Sequence, residues 1–259
     1  MKAVGGEAGN VRDGVACDIR CEGDQRALRD RLEALGVFDV FVRAADASTP
    51  RLFVADMDST MITCECIDEL ADYIGAKDAV AAVTERAMQG ELDFAEALRA
   101  RVALLAGLPE TTLAECLRER VRPMGGAEAL LRGLRDAGAR SVLVSGGFTH
   151  FAEPVGRQLG FARVVANRLV VRDGRLTGET EQPIVDAATK RRVLREEVAR
   201  LSIPPAASVA IGDGANDIPM IEAAGFGIAY RAKPKAAAAA DARVRHGDLD
   251  AVRYGLRLA

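Results

Sequence analysis

A short apolar run that ends in two acids constrains this chain more than any other feature. Residues 52–55 read Leu-Phe-Val-Ala, and Asp56 and Asp58 follow close behind. Such an unbroken run is typical of a strand buried on both faces of a parallel sheet. In open α/β sheets, ligands bind at the carboxyl ends of the strands. The run therefore predicts a short buried strand with two carboxylates at a ligand-binding edge, although a strand entering an ordinary Asx turn is the simpler alternative.

The second predicted strand end carries a hydroxyl group and two glycines. Residues 142–144 read Val-Leu-Val, and Ser145, Gly146 and Gly147 follow. A hydroxyl beside backbone amides at a helix N-terminus forms an anion site, because the N–H groups of the first turn lack partners within the helix. A tight strand-to-helix turn explains the same residues equally well. The motif indicates a phosphate site only in combination with its neighbours.

A third strand end and a lysine complete the set. The third strand is predicted at residues 208–211, and the glycine-rich loop after it holds Asp213, Asn216 and Asp217. Carboxylate oxygens are preferred ligands of Mg²⁺, so Asp213 is expected to reach the same cation as Asp56. Lys190 opens a helix rich in charge, and most such runs are solvated faces. Its ammonium would neutralise phosphate only if the fold brings it to this edge.

Composition excludes several classes of function. The 259 residues carry a net charge of −3, which leaves no basic face for nucleic acid. No apolar stretch approaches the roughly 20 residues that span a bilayer, and the first residues do not form a secretory signal. The five cysteines include no C-x-x-C pair, which favours reduced thiols over a metal site. We therefore expect a cytoplasmic protein without nucleic-acid or membrane partners.

The order of helix and strand patterns predicts an α/β fold with a doubly wound, mostly parallel sheet. Residues 49–65 and 123–259 are expected to form its core. Residues 66–122 predict four helices with apolar faces of their own, which we interpret as a small cap. Residues 1–48 predict a short β-α-β segment whose glycine-rich start, residues 1–10, is expected to be disordered. This segment is too short to bury much core alone, so it is expected to pack on the main body or on a partner chain, as in a homodimer.

Finer patterns predict the outer elements. Residues 38–44 are expected to form the second strand of the N-terminal segment. Asp173-Gly174 is a strong turn signal and predicts a hairpin between 164–171 and 175–179. The alanine run at 236–240 predicts helix.

Taken together, the motifs resemble the signature of the haloacid dehalogenase superfamily of phosphotransferases. That signature is a DxDxT strand end, a Ser or Thr strand end, a Lys and a GDxxND-like loop. The resemblance covers about residues 50–230, and it narrows to the phosphoserine phosphatases. The runs that carry this closer likeness are Asp56-Met-Asp-Ser-Thr-Met-Ile-Thr-Cys-Glu65, Arg86-Ala-Met88-Gln-Gly-Glu-Leu-Asp-Phe94, Leu98-Arg-Ala-Arg101, Ser145-Gly-Gly-Phe148 and Gly212-Asp-Gly-Ala-Asn-Asp217.

The resemblance implies hydrolysis of O-phospho-L-serine to L-serine and phosphate, the last step of L-serine biosynthesis. Asp56 would be the nucleophile that becomes phosphorylated. Asp58 would protonate the leaving serine oxygen and then deprotonate the attacking water. One Mg²⁺ per active site would be held by Asp56, the backbone carbonyl of Asp58 and Asp213, with Asp217 supporting these ligands. Contacts to the phosphoryl group are implied for Ser145, Gly146 and Lys190, and Asn216 would contact it or orient its neighbours.

Four more residues are implied to recognise the rest of the substrate. Phosphoserine carries an ammonium and a carboxylate beside its phosphate. Glu65 suits the ammonium, and Arg101 suits the carboxylate, because a guanidinium can donate two parallel hydrogen bonds. Met88 and Phe94 would form an apolar wall that excludes water from the closed site. Without the resemblance, ordinary surface and packing roles would explain all four residues.

Three other functions remain open at this stage. The phosphorylated aspartate could be transferred to another small alcohol instead of water. A sensor of phosphorylated ligands would need no turnover, but it would have no use for Asp58. A sugar-phosphate phosphatase could share the core, but a neutral sugar would leave Glu65 and Arg101 without partners, and burying unpaired charges is costly.

Overall fold

The computed structural model of the protein describes residues 7–12, 14–88 and 91–258, except for the side chains of 7–12 and Met88. The strands are Glu7–Arg12 (β1), Ala16–Arg20 (β2), Leu52–Ala55 (β3), Arg140–Phe148 (β4), Arg163–Asn167 (β5), Leu169–Arg172 (β6), Arg175–Thr180 (β7), Ser208–Gly212 (β8), Phe226–Tyr230 (β9) and Ala242–Val244 (β10). The α-helices are Gln25–Glu33 (α1), Cys66–Tyr73 (α2), Lys77–Met88 (α3), Phe94–Ala103 (α4), Thr111–Arg120 (α5), Ala127–Asp136 (α6), Thr149–Leu159 (α7), Ala187–Arg200 (α8), Ile218–Ala223 (α9), Pro234–Ala239 (α10) and Leu249–Gly255 (α11).

Six parallel strands form the central sheet, in the order β10-β9-β8-β3-β4-β5. The central strand β3 is fully buried. Phe53 and Ala55 pack into the apolar cluster on one face of the sheet, whereas Leu52 and Val54 pack into the cluster on the other. Both faces are therefore covered, which explains why the strand reads as a continuous apolar run. The predicted doubly wound α/β fold is confirmed.

Helices α2 to α5 form an insert between β3 and α6, here called the helical insert (residues 66–122). Within it, α2 packs on α3 and α5, and α3 packs on α4. The insert is also bonded to the β6–β7 hairpin. The N–H of Gly107 donates to the carbonyl of Leu176, and the N–H of Leu176 donates to the carbonyl of Leu108. Within the described ranges, no helix combines the length and apolar character that crossing a bilayer requires.

The beginning of the chain differs from the predicted β-α-β unit. Of its expected disordered start, residues 1–6 lie outside the described residues. Residues 7–10 belong to β1, which pairs antiparallel with β2, so the prediction of disorder there is wrong. A two-stranded ribbon therefore precedes α1.

The predicted strand at 38–44 is also wrong. In the described part of this segment, Val40 forms a single antiparallel bridge to Arg243 of β10. The side chain of Asp39 replaces a ladder on one side of this bridge. Its carboxylate accepts the backbone N–H groups of residues 245–247, directly after β10.

The first strand of the predicted hairpin, at 164–171, begins earlier in the sequence than the observed hairpin does. Its first part belongs to β5, which pairs with β4 at the edge of the central sheet. The hairpin itself consists of β6 and β7. Apolar residues continue after Asn167 and Arg168, which favoured one long strand, whereas β5 ends at Asn167, a buried polar residue.

Candidate active site

Three neighbouring strands end at the same edge of the sheet. β8, β3 and β4 are parallel neighbours, so their carboxyl ends lie side by side. Asp56 directly follows β3, Ser145 lies in the last part of β4, and Asp213 directly follows β8. Sheet topology alone therefore brings together three residues that are far apart in the sequence.

A buried lysine lies between two buried carboxylates at this edge. Lys190 Nζ is 2.7 Å from Asp56 Oδ1 and 2.7 Å from Asp217 Oδ1. Burial alone would lower the pKa of Lys190, but the charges of Asp217 and Asp56 outweigh it and hold the pKa above its usual value. Burial and the charge of Asp217 raise the pKa of Asp56, against the opposing charge of Lys190. One ammonium serves two carboxylates, so the site carries surplus negative charge.

Asp58 lies beside Asp56 in different surroundings. Its Oδ1 accepts the backbone N–H of Cys66 at 3.1 Å, and the hydroxyl of Ser145 lies 3.5 Å from its Oδ2. Burial, and then the charge of Glu65, raise the pKa of Asp58 to about 7. A carboxyl group with such a pKa can both give and take a proton near neutral pH.

The residues after Val144 form a cradle at the end of β4. The predicted loop at 145–147 is instead a distorted part of β4, whose pairing with β5 shifts register before Phe148. Helix α7 begins only at Thr149, so the predicted helix N-terminus lies downstream of the cradle. The N–H of Gly147 donates to Ser145 Oγ at 2.8 Å. A side chain at Gly147 would come within 2.5 Å of Asp58 Oδ2, which explains the need for glycine there.

A cluster of carboxylates could hold a metal ion. Asp56, Asp213 and Asp217 each offer an oxygen within 4.8 Å of the other two. Burial and the charges of Asp217 and Glu65 raise the pKa of Asp213 to about 6. Asp217 Oδ2 also accepts the backbone N–H groups of Asp213 and Gly214, at 3.2 and 3.0 Å. Hard oxygen ligands and uncompensated negative charge fit a hard divalent cation.

Glu65 and Arg101, the residues expected to recognise the substrate's amino and carboxylate groups, lie near the same edge. Glu65 is exposed at the start of α2, and Ser59 Oγ donates to its Oε1 at 2.6 Å. Arg101 is half-buried on α4. Burial lowers the pKa of Arg101, whereas the charges of Asp68, Glu65 and Asp58 act in the opposite direction. The guanidinium of Arg101, from the helical insert, and the carboxylate of Glu65, just before the insert, thus lie close enough to interact electrostatically.

The remaining predicted residues lie in three places. Phe94 begins α4, and its ring faces the cradle, because a Cβ atom at Gly146 would come within 2.9 Å of it. Asn216 lies in the 3₁₀ turn Ala215–Asp217, with its side chain against Gly214. Met88 is the last residue of α3, and its side chain lies outside the described residues.

Sequence reasoning missed Asn167. This residue ends β5 with a buried amide that bonds to both Gly146 and Val185. A polar residue after the apolar run Val-Val-Ala was the available signal, but it was absorbed into the predicted hairpin.

A model of the haloacid dehalogenase-like hydrolase family matches residues 53–222, more than half of the chain. The chain belongs to the haloacid dehalogenase-like hydrolases. The superfamily predicted from the motifs is therefore confirmed. All the strand ends that build the site lie within the matched residues of this hydrolase.

Relatives of this hydrolase include several proteins named phosphoserine phosphatase. SerB2 of Mycobacterium tuberculosis is 48% identical over 206 residues, which are 80% of this chain and 50% of the relative. The Albidiferax ferrireducens protein is 44% identical over 205 residues, 77% of this chain and 86% of the relative. The chain thus spans half the length of the first relative and most of the second.

A solved structure of a substrate-bound phosphoserine phosphatase complex resembles this hydrolase, with a TM-score of 0.74 and 36% identity. The match covers 80% of this chain and 99% of that one. A phosphoserine phosphatase solved as an analogue of the phospho-aspartyl intermediate matches with the same values. The likeness therefore extends over nearly the full length of both of those proteins.

Proposed function

We propose that this protein is a Mg²⁺-dependent phosphatase that hydrolyses O-phospho-L-serine to L-serine and phosphate. The observation that carries the proposal is the pairing of two carboxylates in different surroundings. Asp56 lies against Lys190, whereas the pKa of Asp58 is raised to about 7. A charge-paired carboxylate suits a nucleophile, and a neighbour that titrates near neutrality suits an acid–base group. Relatives named phosphoserine phosphatase support the same function.

In the first half-reaction, an oxygen of Asp56 bonds to phosphorus while the bond from phosphorus to the serine oxygen breaks. Protonated Asp58 gives its proton to the departing oxygen, so L-serine leaves as a neutral alcohol. Ser145, Gly146 and Lys190 bind the transferring phosphoryl group. The ammonium of Lys190 is already fixed against Asp56, so charge neutralisation needs no rearrangement when the reaction begins.

In the second half-reaction, water attacks phosphorus and the bond from phosphorus to Asp56 breaks. Asp58, now ionised, takes a proton from that water and is ready for the next cycle. Phosphate is released, and the carboxylate of Asp56 is regenerated.

The chain's own residues fit the proposed cation. Asp56, the backbone carbonyl of Asp58 and Asp213 would hold it, and Asp217 would support them through its bonds to Lys190 and the Asp213 N–H. When bound, Mg²⁺ supplies positive charge that keeps the carboxylates ionised and polarises the phosphoryl oxygens. The raised pKa values of Asp56 and Asp213 mark the charge that such a cation would balance.

Recognition of the serine part rests on Glu65 and on the helical insert that follows it, which we interpret as a cap over the site. Glu65 would accept the substrate ammonium, and Arg101 would donate to its carboxylate. Phe94, with Met88, would close the apolar side of the pocket. The reaction would complete L-serine synthesis in the cytoplasm.

The direct test is phosphate release from L-phosphoserine, phosphothreonine, a hexose phosphate and an aryl phosphate, each with Mg²⁺ and with chelator. We expect strong preference for L-phosphoserine and no release without metal. A preference for the hexose phosphate would contradict the roles of Glu65 and Arg101. Transfer of phosphate to an added alcohol, in place of release, would favour a phosphotransferase.

A further inference from the structure

The amide of Asn167 joins two segments that the proposed function uses. Asn167 is 2% exposed at the end of β5. Its Nδ2 donates to the carbonyl of Gly146 at 2.8 Å, and its Oδ1 accepts the N–H of Val185 at 2.7 Å. One partner only accepts and the other only donates, and an uncharged amide satisfies both.

The bond to Gly146 fixes the cradle. The carbonyl of Gly146 and the N–H of Gly147 belong to one planar peptide unit. Asn167 holds the carbonyl end of that unit, and Ser145 Oγ accepts the N–H end at 2.8 Å. Rotation of the peptide would break both bonds together. The orientation of the Ser145 hydroxyl therefore depends on Asn167, which itself is one strand away.

The bond to Val185 fixes the start of the helix that carries the lysine. The next residue, Asp186, caps α8 by accepting the N–H of Thr189 at 2.7 Å. The N–H of Lys190 donates to the carbonyl of Asp186 in the first turn of α8. A short series of hydrogen bonds therefore connects the Asn167 amide to the backbone of Lys190.

We propose that Asn167 is a positioning residue for the phosphoryl subsite. It acts through the Gly146–Gly147 peptide and the start of α8, so that Ser145 and Lys190 keep a fixed separation around the transferring group. This inference rests on the proposed function, because it assigns Asn167 to the phosphate half of that site and not to the serine half.

The chain offers a matched control in Ser208. This buried hydroxyl also bridges two backbone groups, donating to Pro205 at 2.6 Å and accepting from Gly225 at 3.1 Å. It lies at the opposite, amino end of β8. N167A and S208A thus each remove one buried two-bond bridge, but only the first lies at the catalytic edge. N167D keeps the acceptor for Val185 and removes the donor to Gly146.

The experiment measures competitive inhibition of aryl phosphate hydrolysis by inorganic phosphate and, separately, by L-serine. We expect N167A and N167D to raise the inhibition constant of phosphate about tenfold, which corresponds to about 1.4 kcal/mol. The constant of L-serine should stay unchanged, and S208A should change neither. If N167A does not fold, N167D carries the test.

Two results would overturn the inference. One is an unchanged phosphate constant in a folded Asn167 variant, and the other is an equal weakening of phosphate and L-serine. Failure of the proposed function has a different signature, namely wild-type protein that hydrolyses the aryl phosphate but not phosphoserine. In that case the phosphate constants of the variants still decide the role of Asn167. A wild type that neither hydrolyses nor binds phosphate would overturn both.

Discussion

The Nζ atom of Lys190 lies 2.7 Å from Oδ1 of Asp56. The lysine is fully buried, and the aspartate side chain is 6% exposed. A charged pair in this position is costly to break, because either partner alone would be a desolvated charge. The pair therefore links the stability of the core directly to the proposed chemistry.

We expect Lys190→Met to abolish turnover and to lower the free energy of unfolding by about 3–5 kcal/mol, because Asp56 and Asp217 lose their common counter-ion. Denaturant unfolding measures the second effect. Lys235→Met is the control, since Lys235 is exposed. Wild-type stability in the Lys190 variant would contradict a charged, paired lysine.

Asp56→Asn should reduce turnover of L-phosphoserine by about 10⁴-fold or more, as expected when a nucleophile is removed. The fold should persist, because an amide of the same size can still accept from the Met57 N–H and from Lys190. Steady-state kinetics and circular dichroism test the two parts. Asp136→Asn, at a side chain that is 64% exposed, provides the control. Substantial residual turnover would exclude Asp56 as the nucleophile.

Arg101→Ala should damage hydrolysis of phosphoserine about 100-fold more than hydrolysis of an aryl phosphate, which has no carboxylate to bind. Two charge-assisted hydrogen bonds of about 1.5 kcal/mol each account for that factor. Arg99→Ala is the matched control, because Arg99 is an exposed residue of the same helix. Equal losses on both substrates would remove Arg101 from the carboxylate role.

Metal binding can be followed without turnover. Mg²⁺ should raise the melting temperature of the wild-type protein in a saturable way, because a ligand that prefers the folded state stabilises it. Asp213→Asn should need at least about tenfold more Mg²⁺ for the same shift, since one carboxylate of the cluster is lost. If Mg²⁺ left the melting temperature of both proteins unchanged, that result would contradict a cation site here.

Glu197 provides a prediction about pH. Arg140, Arg163 and Arg200 lie 2.7–2.9 Å from its buried carboxylate. Burial would raise the pKa of Glu197, but these hydrogen bonds outweigh it and hold the pKa below its usual value of 4.5. A lowered pKa stabilises the folded state above about pH 4.5, and this contribution is lost as the pH falls through the folded-state pKa.

Glu197→Gln should therefore cost about 2 kcal/mol at neutral pH, an amount limited by solvent around the half-exposed Arg200. Its stability should also fall less steeply than that of the wild type on acidification. Urea unfolding between pH 3 and 7 measures both slopes. Parallel curves for the two proteins would contradict the role of the ionised carboxylate.

Strong local patterns allowed much of the fold to be predicted. β3 has the bounds that its apolar run predicts, and residues 66–122 form the four helices that their apolar spacing predicts. Predictions failed where a single side chain overrides the pattern. Asp39 bonds through its side chain to the backbone that follows β10, and Asn167 ends β5 although apolar residues follow at 169–171.

The candidate site likewise has residues that local patterns could place and residues that only the folded chain brings together. Asp56 and Asp213 could be placed at one edge because parallel strands share their direction. The position of Lys190 depends on where α8 crosses the sheet, which no local pattern specifies. Asn167 was not found, because its importance lies in bonds to Gly146 and Val185 that exist only in the folded chain.

The bridge between Val40 and Arg243 has a consequence for solubility. β10 is the last strand on its side of the sheet, and the free edge of such a strand can template pairing with other molecules. Val40 covers that edge, and the buried guanidinium of Arg29 takes the neighbouring carbonyls of Ala240 and Asp241. The N-terminal segment thus leaves less of this edge open to pairing with other molecules, a consequence that is independent of phosphate chemistry.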